Sequence, residues 1–238
     1  MTLDWPILRM RWENLLFLHW RWQGEDLMKR LPAGLEIEEF DGSAWLGVVP
    51  FRMRRVHPTG LFCLPGISDF LELNVRTYVR SPRGVSGVWF FSLACNQPLA
   101  TWLARRFFAL NYVHARLEVE FYQGSVVYFH KRQNGRIARY DYPNWDAGSI
   151  GSRAKEGSIE EFLTKRFVLF SEASGGRLMQ GRVDHEPYQL RVLEAGRFSP
   201  ESFLPAMDDG FEMVECPPDH AMLAGPLDVS AWTIRPAV

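Results

Sequence analysis

The stretch from Leu71 to Arg80 holds the side chains best suited to chemistry in this chain. Every second residue is polar, and together they supply a carboxylate, an amide, two guanidiniums and a phenol: Glu72, Asn74, Arg76, Arg80 and Tyr78. The other face is apolar apart from one threonine. A period of two residues is typical of a β-strand. A carboxylate that exchanges protons, on the same face as guanidiniums that bind planar anions, favours recognition of a small anion.

A second stretch, from Val113 to Phe121, alternates in the same way. Its polar face carries His114, Arg116, Glu118 and Glu120, and its other face is apolar. This pattern predicts a second strand with one polar face.

The two polar faces together define a candidate site. If both look into one cavity, it is lined by Glu72, Arg76, Tyr78, His114 and Arg116. We therefore assign Glu72 and His114 as the candidate acid and base, and Arg76, Tyr78 and Arg116 as ligand-binding residues. The alternative is that both faces meet solvent, since one wet face is common in antiparallel sheets.

The spacing within the first stretch bears on the kind of ligand. Residues two apart on a strand are about 6.6 Å apart, so Glu72 and Arg76, about 13 Å apart, cannot neutralise each other directly. A buried charge that loses its partner costs about 3–5 kcal/mol. An arginine in an enclosed site therefore predicts an anionic ligand.

His19 is a further candidate ligand-binding residue. It lies in the apolar run from Leu15 to Trp20. In such a run a histidine is more often a hydrogen-bonded core residue than a base. Both interpretations are kept.

Several other classes of site are not expected. There is no His-x-x-x-His, His-x-His or Cys-x-x-Cys spacing, so no metal site is predicted. Phosphate-loop and Gly-x-Ser-x-Gly motifs are missing, and no cofactor is predicted. The net charge of −1 gives no reason to expect nucleic acid, and the longest apolar run, 85–104, is too polar to span a membrane. Three scattered cysteines predict reduced thiols and a cytoplasmic protein.

The elements that position these residues are mostly strands. Helix signals cover Gly24–Leu31, Gln97–Leu110 and a short segment after the capping box at Ser158–Glu161. Strands are predicted at Ala44–Phe51, Leu71–Arg80, Val88–Leu93, Val113–Phe121, Ser125–Lys131, Arg136–Tyr142, Arg166–Ser171, Arg177–Asp184, Tyr188–Leu193 and in part of Met222–Ile234. Turns such as Asp41-Gly42, Gln123-Gly124 and Asn134-Gly135 separate them, and 143–157 is predicted to be a loop. We predict one domain, 1–238, of mainly β (α+β) class, as a large barrel or sandwich.

Motifs along nearly the whole chain resemble the YqjF-like family of uncharacterised bacterial proteins. They are Trp12–Trp20, Leu31–Leu35, Asp41-Gly42, Val49–Phe51, Phe70–Tyr78, Gly87–Leu93, Ala104-Arg105, Ser158–Arg166 and His185–Tyr188. Lys165 departs from the pattern, where an acid is expected. That family is similar to acetoacetate decarboxylase, and the resemblance implies a large β-barrel around a closed, apolar-walled cavity.

The resemblance also implies a changed reaction. Glu72 falls where the decarboxylase keeps an active-site glutamate. Its paired lysines correspond to the segment holding His114, Ala115 and Arg116, and an arginine is too basic to form a Schiff base. The four lysines lie elsewhere, at Lys29, Lys131, Lys155 and Lys165.

The sequence therefore predicts a cytoplasmic barrel that binds a small organic anion, a carboxylate or keto acid. An acid–base enzyme without the Schiff-base lysine and a non-catalytic binding or sensing module are both compatible with it. A protein–protein adaptor that uses exposed tryptophans is a third interpretation. A homo-oligomer is left open.

Overall fold

The structure is a computed structural model that describes residues 5–102, 110–131, 137–146, 148–198 and 216–237. Strands dominate it. They are β1 Leu8–Glu13, β2 Leu15–Trp22, β3 Glu36–Ile37, β4 Ala44–Pro58, β5 Phe70–Arg80, β6 Ser86–Cys95, β7 Tyr112–His114, β8 Arg116–Tyr122, β9 Ser125–Lys131, β10 Ile137–Pro143, β11 Val168–Ala173, β12 Arg177–His185, β13 Leu190–Leu193, β14 His220–Ala224, β15 Leu227–Ala231 and β16 Arg235–Pro236. The helices are α1 Gly24–Met28, α2 at 98–102, α3 Ile159–Thr164 and a 3-10 turn at Ala195–Arg197.

Seven strands pair in a closed circuit. Going round it, β4 pairs with β5, β5 with β6, β6 with β11, β11 with β12, β12 with β15, β15 with β1, and β1 again with β4. All these pairings are antiparallel except that of β6 with β11. β2, β14 and β13 extend the sheet beyond β4. A separate sheet in the order β10-β9-β8 completes the fold.

The two faces of the ring bury different residues. We call the apolar set on its inner face the inner cluster, since it draws members from every strand of the ring: Met10, Val49, Tyr78, Val88, Leu169, Val183 and Val229. The outer cluster joins Leu71, Leu73 and Val75 of β5 to Tyr128 and Tyr140 of the three-stranded sheet. The apolar face of β5 therefore faces outward, under the small sheet, and its polar face turns into the ring.

Local sequence signals account for most of the elements. In α3 the Ser158 side chain accepts a hydrogen bond from the backbone N–H of Glu161, as the capping box predicts. Gln123 and Gly124 both have positive φ (45° and 82°), the geometry of a tight hairpin turn. The described part of the predicted second helix, 98–102, is helical. The predicted Asn134-Gly135 turn lies outside the described residues, but its flanking strands β9 and β10 are paired.

The sequence prediction missed β1 and β2. From Leu15 to Trp20 every residue of β2 is buried, because both faces of this strand are covered. A strand buried on both faces has no polar alternation, so the period-two signal is lost. Asn14, with a φ of 53°, separates the two strands.

The second polar stretch is not the continuous strand that was predicted. It divides into β7, which among the described residues pairs with β6 alone, and β8, which belongs to the three-stranded sheet. The apolar face of β8 covers the outside of β5, and so its polar face meets solvent.

Within the described residues, no helix is both long and apolar enough to cross a bilayer.

Candidate functional site

Most of the polar face of β5 is buried, on the side of the sheet that carries the inner cluster. Glu72, Asn74 and Tyr78 are 3%, 5% and 0% exposed. From Leu71 to Val79 every residue is buried except Arg76, which keeps partial exposure.

Strand register brings two histidines into line with Arg76. Moving from β14 through β2 and β4 to β5, His220 pairs with His19, His19 with Gly47, and Gly47 with Arg76. Residues in one register row point to the same face of a sheet. Because Gly47 has no side chain, the His19 ring can lie across β4 towards β5. A Cβ at position 47 would stand only 2.9 Å from His19 Nε2.

His19, Tyr78 and Arg76 form a hydrogen-bonded group inside the ring. His19 Nε2 lies 2.6 Å from the Tyr78 hydroxyl, and Arg76 Nη2 donates to the same hydroxyl at 3.2 Å. Arginine only donates, so the Tyr78 hydroxyl accepts from Arg76, and we assign the tyrosine proton to the bond with His19 Nε2. His19 then carries its own proton on Nδ1, a fully buried atom with no hydrogen-bond partner among the described residues.

Burial and charge hold this group in a defined protonation state. Burial, followed by the charges of Arg76 and His220, sets the pKa of His19 well below its ordinary value, so its imidazole is neutral. Burial raises the pKa of Tyr78, although Arg76 and Arg166 act in the opposite direction. A neutral imidazole beside a protonated phenol is an arrangement that can pass a proton.

Arg76 has no carboxylate partner in the described part of the chain. Its Nη2 also donates to the backbone carbonyl of Leu163 in α3 at 3.2 Å. Its guanidinium carbon lies 5.3 Å from the ring centre of Phe17 and 5.5 Å from that of Tyr78. The buried Nε has no partner among the described residues. The Arg76 guanidinium is therefore held by aromatic rings and uncharged oxygen atoms, and no carboxylate of the described residues neutralises its charge.

A second arginine inside the same region is neutralised. Arg166, directly after α3, pairs with Glu38, whose carboxylate also accepts hydrogen bonds from Arg80 and Ser86. The Arg166 guanidinium lies over the rings of Phe162 and Tyr78, at 4.4 and 5.4 Å. This network fixes α3 against the strands that carry the site.

Glu72 forms a separate polar contact on the same face of β5. Its Oε2 accepts a hydrogen bond from the Tyr112 hydroxyl at 2.8 Å. Burial raises the pKa of Glu72 to about 7, and the bond from Tyr112 offsets only part of that rise. Between Glu72 and Arg76, the buried Oδ1 of Asn74 has no partner in the described residues.

The raised pKa of Glu72 predicts how it affects stability with pH. A carboxyl whose pKa is higher in the folded state stabilises the fold below its unfolded pKa, and that contribution is lost as pH rises to about 7. A rise of this size is worth about 3 kcal/mol. We expect the difference in unfolding free energy between wild type and Glu72→Gln to shrink by roughly this amount from pH 4.5 to 8, measured by urea denaturation. A constant difference across this range contradicts the assignment.

The structure places His114 and Arg116 outside the hydrogen-bonded group of His19, Tyr78 and Arg76. Both are exposed, so the expectation that they share an enclosed face with Glu72 and Arg76 is wrong. His114 follows Glu72 and Cys95 in register, but it ends an edge strand that nothing described covers. Arg116 opens β8, whose polar face is exposed; there Glu118 pairs with Lys131. His19, Arg76 and Tyr78 are brought together, and Glu72 lies further along the same strand.

All four lysines lie outside the inner cluster. Lys29 and Lys165 form exposed ion pairs within their helical segments, and Lys155 is exposed. Lys131 pairs with Glu118 on the three-stranded sheet. Among the described residues, no three His, Cys, Asp or Glu side chains are grouped to hold a metal ion.

Several members of the site were not predicted from sequence. They are Gly47, Glu38, Tyr112, Arg166 and the carbonyl of Leu163. Each acts through a partner more than 25 residues away, so no local spacing marks it. An isolated glycine in a strand pattern, as at position 47, does signal close approach of another group.

Solved structures similar to this chain share its fold at low identity. Acetoacetate decarboxylase from Legionella pneumophila aligns with a TM-score of 0.61 and 13% identity, over 99% of this chain and 89% of the enzyme. The enduracididine biosynthesis enzyme MppR, complexed with pyruvate, aligns with a TM-score of 0.64 and 11% identity, over 99% of this chain and 91% of that one. These matches show an acetoacetate decarboxylase-like fold.

Sequence comparison places the chain in a family. The uncharacterized protein YqjF of Bacillus subtilis (strain 168) is 32% identical over 189 residues, which is 79% of this chain and 77% of that protein. The profile of the DUF2071 family, described as an uncharacterized conserved protein, matches residues 9–224. The chain therefore belongs to the DUF2071 family, is a relative of YqjF, and has an acetoacetate decarboxylase-like fold.

Proposed function

We propose that the protein binds a small organic carboxylate inside the ring, with Arg76 as the anion receptor. The observation that carries this proposal is the state of Arg76: a partly exposed arginine within a buried strand, without a carboxylate partner among the described residues. A cation in an apolar interior is costly unless it is paired. An anionic ligand supplies the missing charge.

The neighbouring polar atoms favour a ligand with more than one acceptor. His19 Nδ1 and Arg76 Nε are buried donors without partners in the described residues. Each unmade hydrogen bond costs about 1–3 kcal/mol. A keto acid carries a carbonyl oxygen beside its carboxylate, on the adjacent carbon in pyruvate and one carbon further in acetoacetate, so it offers acceptors to more than one donor.

The fold relatives support the same ligand class. One is a decarboxylase of acetoacetate, and another is an enzyme complexed with pyruvate; both compounds are keto acids. In this chain the four lysines lie outside the inner cluster, and so the proposed site works without a Schiff base. His114, being exposed, has no part in it, and Glu72 remains as a carboxyl that can exchange a proton near neutral pH.

The proposal predicts a ligand-dependent melting shift that needs Arg76. Pyruvate, acetoacetate, acetate and phosphate should be screened by thermal shift over a range of concentrations. A ligand present at 100 times its Kd stabilises the folded state by about 2.7 kcal/mol. We expect keto acids to raise the Tm of the wild type and to leave that of Arg76→Gln unchanged.

Arg191→Gln is the matched control for this experiment. Arg191 also has buried guanidinium atoms without partners in the described residues, but it pairs in register with Leu223 of the outer cluster. Its removal should leave the melting shift intact. Equal shifts in wild type and Arg76→Gln, or none with any anion, contradict the proposal.

A further inference from the structure

We propose that Tyr78 and His19 form a proton-transfer pair that catalyses the enolisation of a 2-oxo carboxylate held by Arg76. This inference rests on the proposed anion site and adds a reaction to it. The two side chains are fully buried, hydrogen-bonded to each other, and joined to the proposed receptor through the Tyr78 hydroxyl.

In this proposal the reacting carbonyl of the ligand lies beside Tyr78. Arg76 Nη2 and the Tyr78 hydroxyl are 3.2 Å apart. A carboxylate on the guanidinium therefore brings its 2-oxo oxygen, three bonds away from a carboxylate oxygen, within reach of the hydroxyl. When Tyr78 turns its proton towards that oxygen, the lone pair of His19 Nε2 is released to act as a base.

The proton balance of the step closes without another reactant. His19 Nε2 takes a proton from C3 of the ligand, and the electrons of that C–H bond form the C2=C3 double bond. The carbonyl π electrons move to oxygen, which takes the Tyr78 proton and completes the enol. The phenolate then regains a proton from the imidazolium, 2.6 Å away, and the pair returns to its starting state.

The surroundings support both charged intermediates. Arg76 donates to the oxygen that becomes the phenolate, and the Arg166 guanidinium lies 5.4 Å from the Tyr78 ring centre. The His19 imidazolium exists only while the phenolate is beside it, so the pair remains neutral overall. Charge stabilisation by donors already in place is a large contribution to catalysis.

Other candidates for this role fit less well. His114 is exposed on an edge strand. The Cα atom of Glu72 is about 13 Å from that of Arg76, by strand geometry. Tyr112 already donates to Glu72. Only Tyr78, among the described side chains, shares a hydrogen bond with both Arg76 and a histidine.

Deuterium incorporation at C3 tests the inference directly. The wild-type protein is incubated with pyruvate or 2-oxobutyrate in D₂O, and the loss of the C3 proton signal is followed by NMR. General acid–base catalysis contributes about 10²–10⁴-fold. We expect the wild type to accelerate exchange, and Tyr78→Phe and His19→Gln each to reduce the acceleration by about 10²-fold.

Tyr142→Phe is the matched control. It also removes a buried, hydrogen-bonded tyrosine hydroxyl, which here donates to the backbone carbonyl of Asn14, but on the side of the outer cluster. Its exchange rate should stay within about twofold of wild type, as for a substitution remote from the reacting atoms. His19→Gln provides a second test should Tyr78→Phe fail to fold.

The outcomes separate this inference from the proposed function. Stabilisation by pyruvate without accelerated exchange overturns the proton-transfer pair and leaves the anion site standing. Exchange at the wild-type rate in both Tyr78→Phe and His19→Gln also overturns it. Absence of stabilisation by any carboxylate overturns the anion site itself. Loss of exchange in Tyr78→Phe, with the pyruvate melting shift retained, supports both.

Discussion

Replacing Glu38 with glutamine is expected to lower the free energy of unfolding by about 3–5 kcal/mol, because a buried charge loses its partner. The side chains of Arg166 and Glu38 are 8% and 9% exposed, so solvent cannot take over the missing interaction. The same carboxylate also accepts from Arg80 and Ser86. A glutamine has one acceptor oxygen and no charge, and cannot satisfy all three donors.

Urea denaturation of a double-mutant cycle measures this effect. Arg80→Gln is the control, because it removes the arm of the network that is 54% exposed and should cost less than about 1 kcal/mol. Combining Glu38→Gln with Arg166→Met removes both buried charges and should recover much of the loss. Equal losses for Glu38→Gln and Arg80→Gln contradict the prediction.

The same network fixes the direction of a pH effect. Burial raises the pKa of Glu38, but the hydrogen bond from Ser86 and the charge of Arg166 outweigh it, so the folded-state pKa lies below the usual value of 4.5. The stabilisation is therefore present above pH 4.5 and is lost as pH falls below it. Wild type and Glu38→Gln should become similar in stability under acid.

Gly47→Val is the second substitution with a large expected effect. The added Cβ would stand 2.9 Å from His19 Nε2 and 3.4 Å from Arg76 Cγ, in the middle of a four-strand row. Overpacking a tight interior costs about 1–3 kcal/mol. We expect a loss at the upper end of this range, because the imidazole must also give up its bond to Tyr78.

The measurement is again the free energy of unfolding, together with the melting shift produced by pyruvate. Gly196→Val is the matched control, since a Cβ at that position meets no heavy atom within 4 Å. Its effect should stay within about 0.5 kcal/mol. A Gly47→Val variant as stable as wild type would show that the His19 ring has room to move aside.

The fold was largely predictable because its signals are local. The alternation in β5, the capping box at Ser158 and the turn at Gln123-Gly124 each depend on neighbours within a few residues. The strand β2 was not predicted from the sequence, because its burial on both faces comes from long-range pairing. Its pairing with β4 and β14 is set by residues far away in sequence, which local periodicity cannot register.

The candidate site was only half predictable for a related reason. Alternation gives the residues that share a face, and it correctly grouped Glu72, Arg76 and Tyr78. It does not say which sheet a strand joins or which side of that sheet is covered. The polar faces of β5 and of 113–121 look alike in sequence, yet one turns inward and the other meets solvent. His19 was recognised as a candidate, but its partner could be found only from the register across Gly47.

The two acceptors on Arg76 Nη2 have a consequence for selectivity. A guanidinium binds a planar carboxylate in a bidentate manner by donating from Nη2 together with either Nη1 or Nε. Here the Tyr78 hydroxyl and the Leu163 carbonyl already occupy that nitrogen. A bound carboxylate therefore either accepts a hydrogen bond from one nitrogen only or displaces one of these two acceptors. Displacing the Leu163 carbonyl loosens the last turn of α3. Tight binding and a relaxed helix end are thus thermodynamically linked.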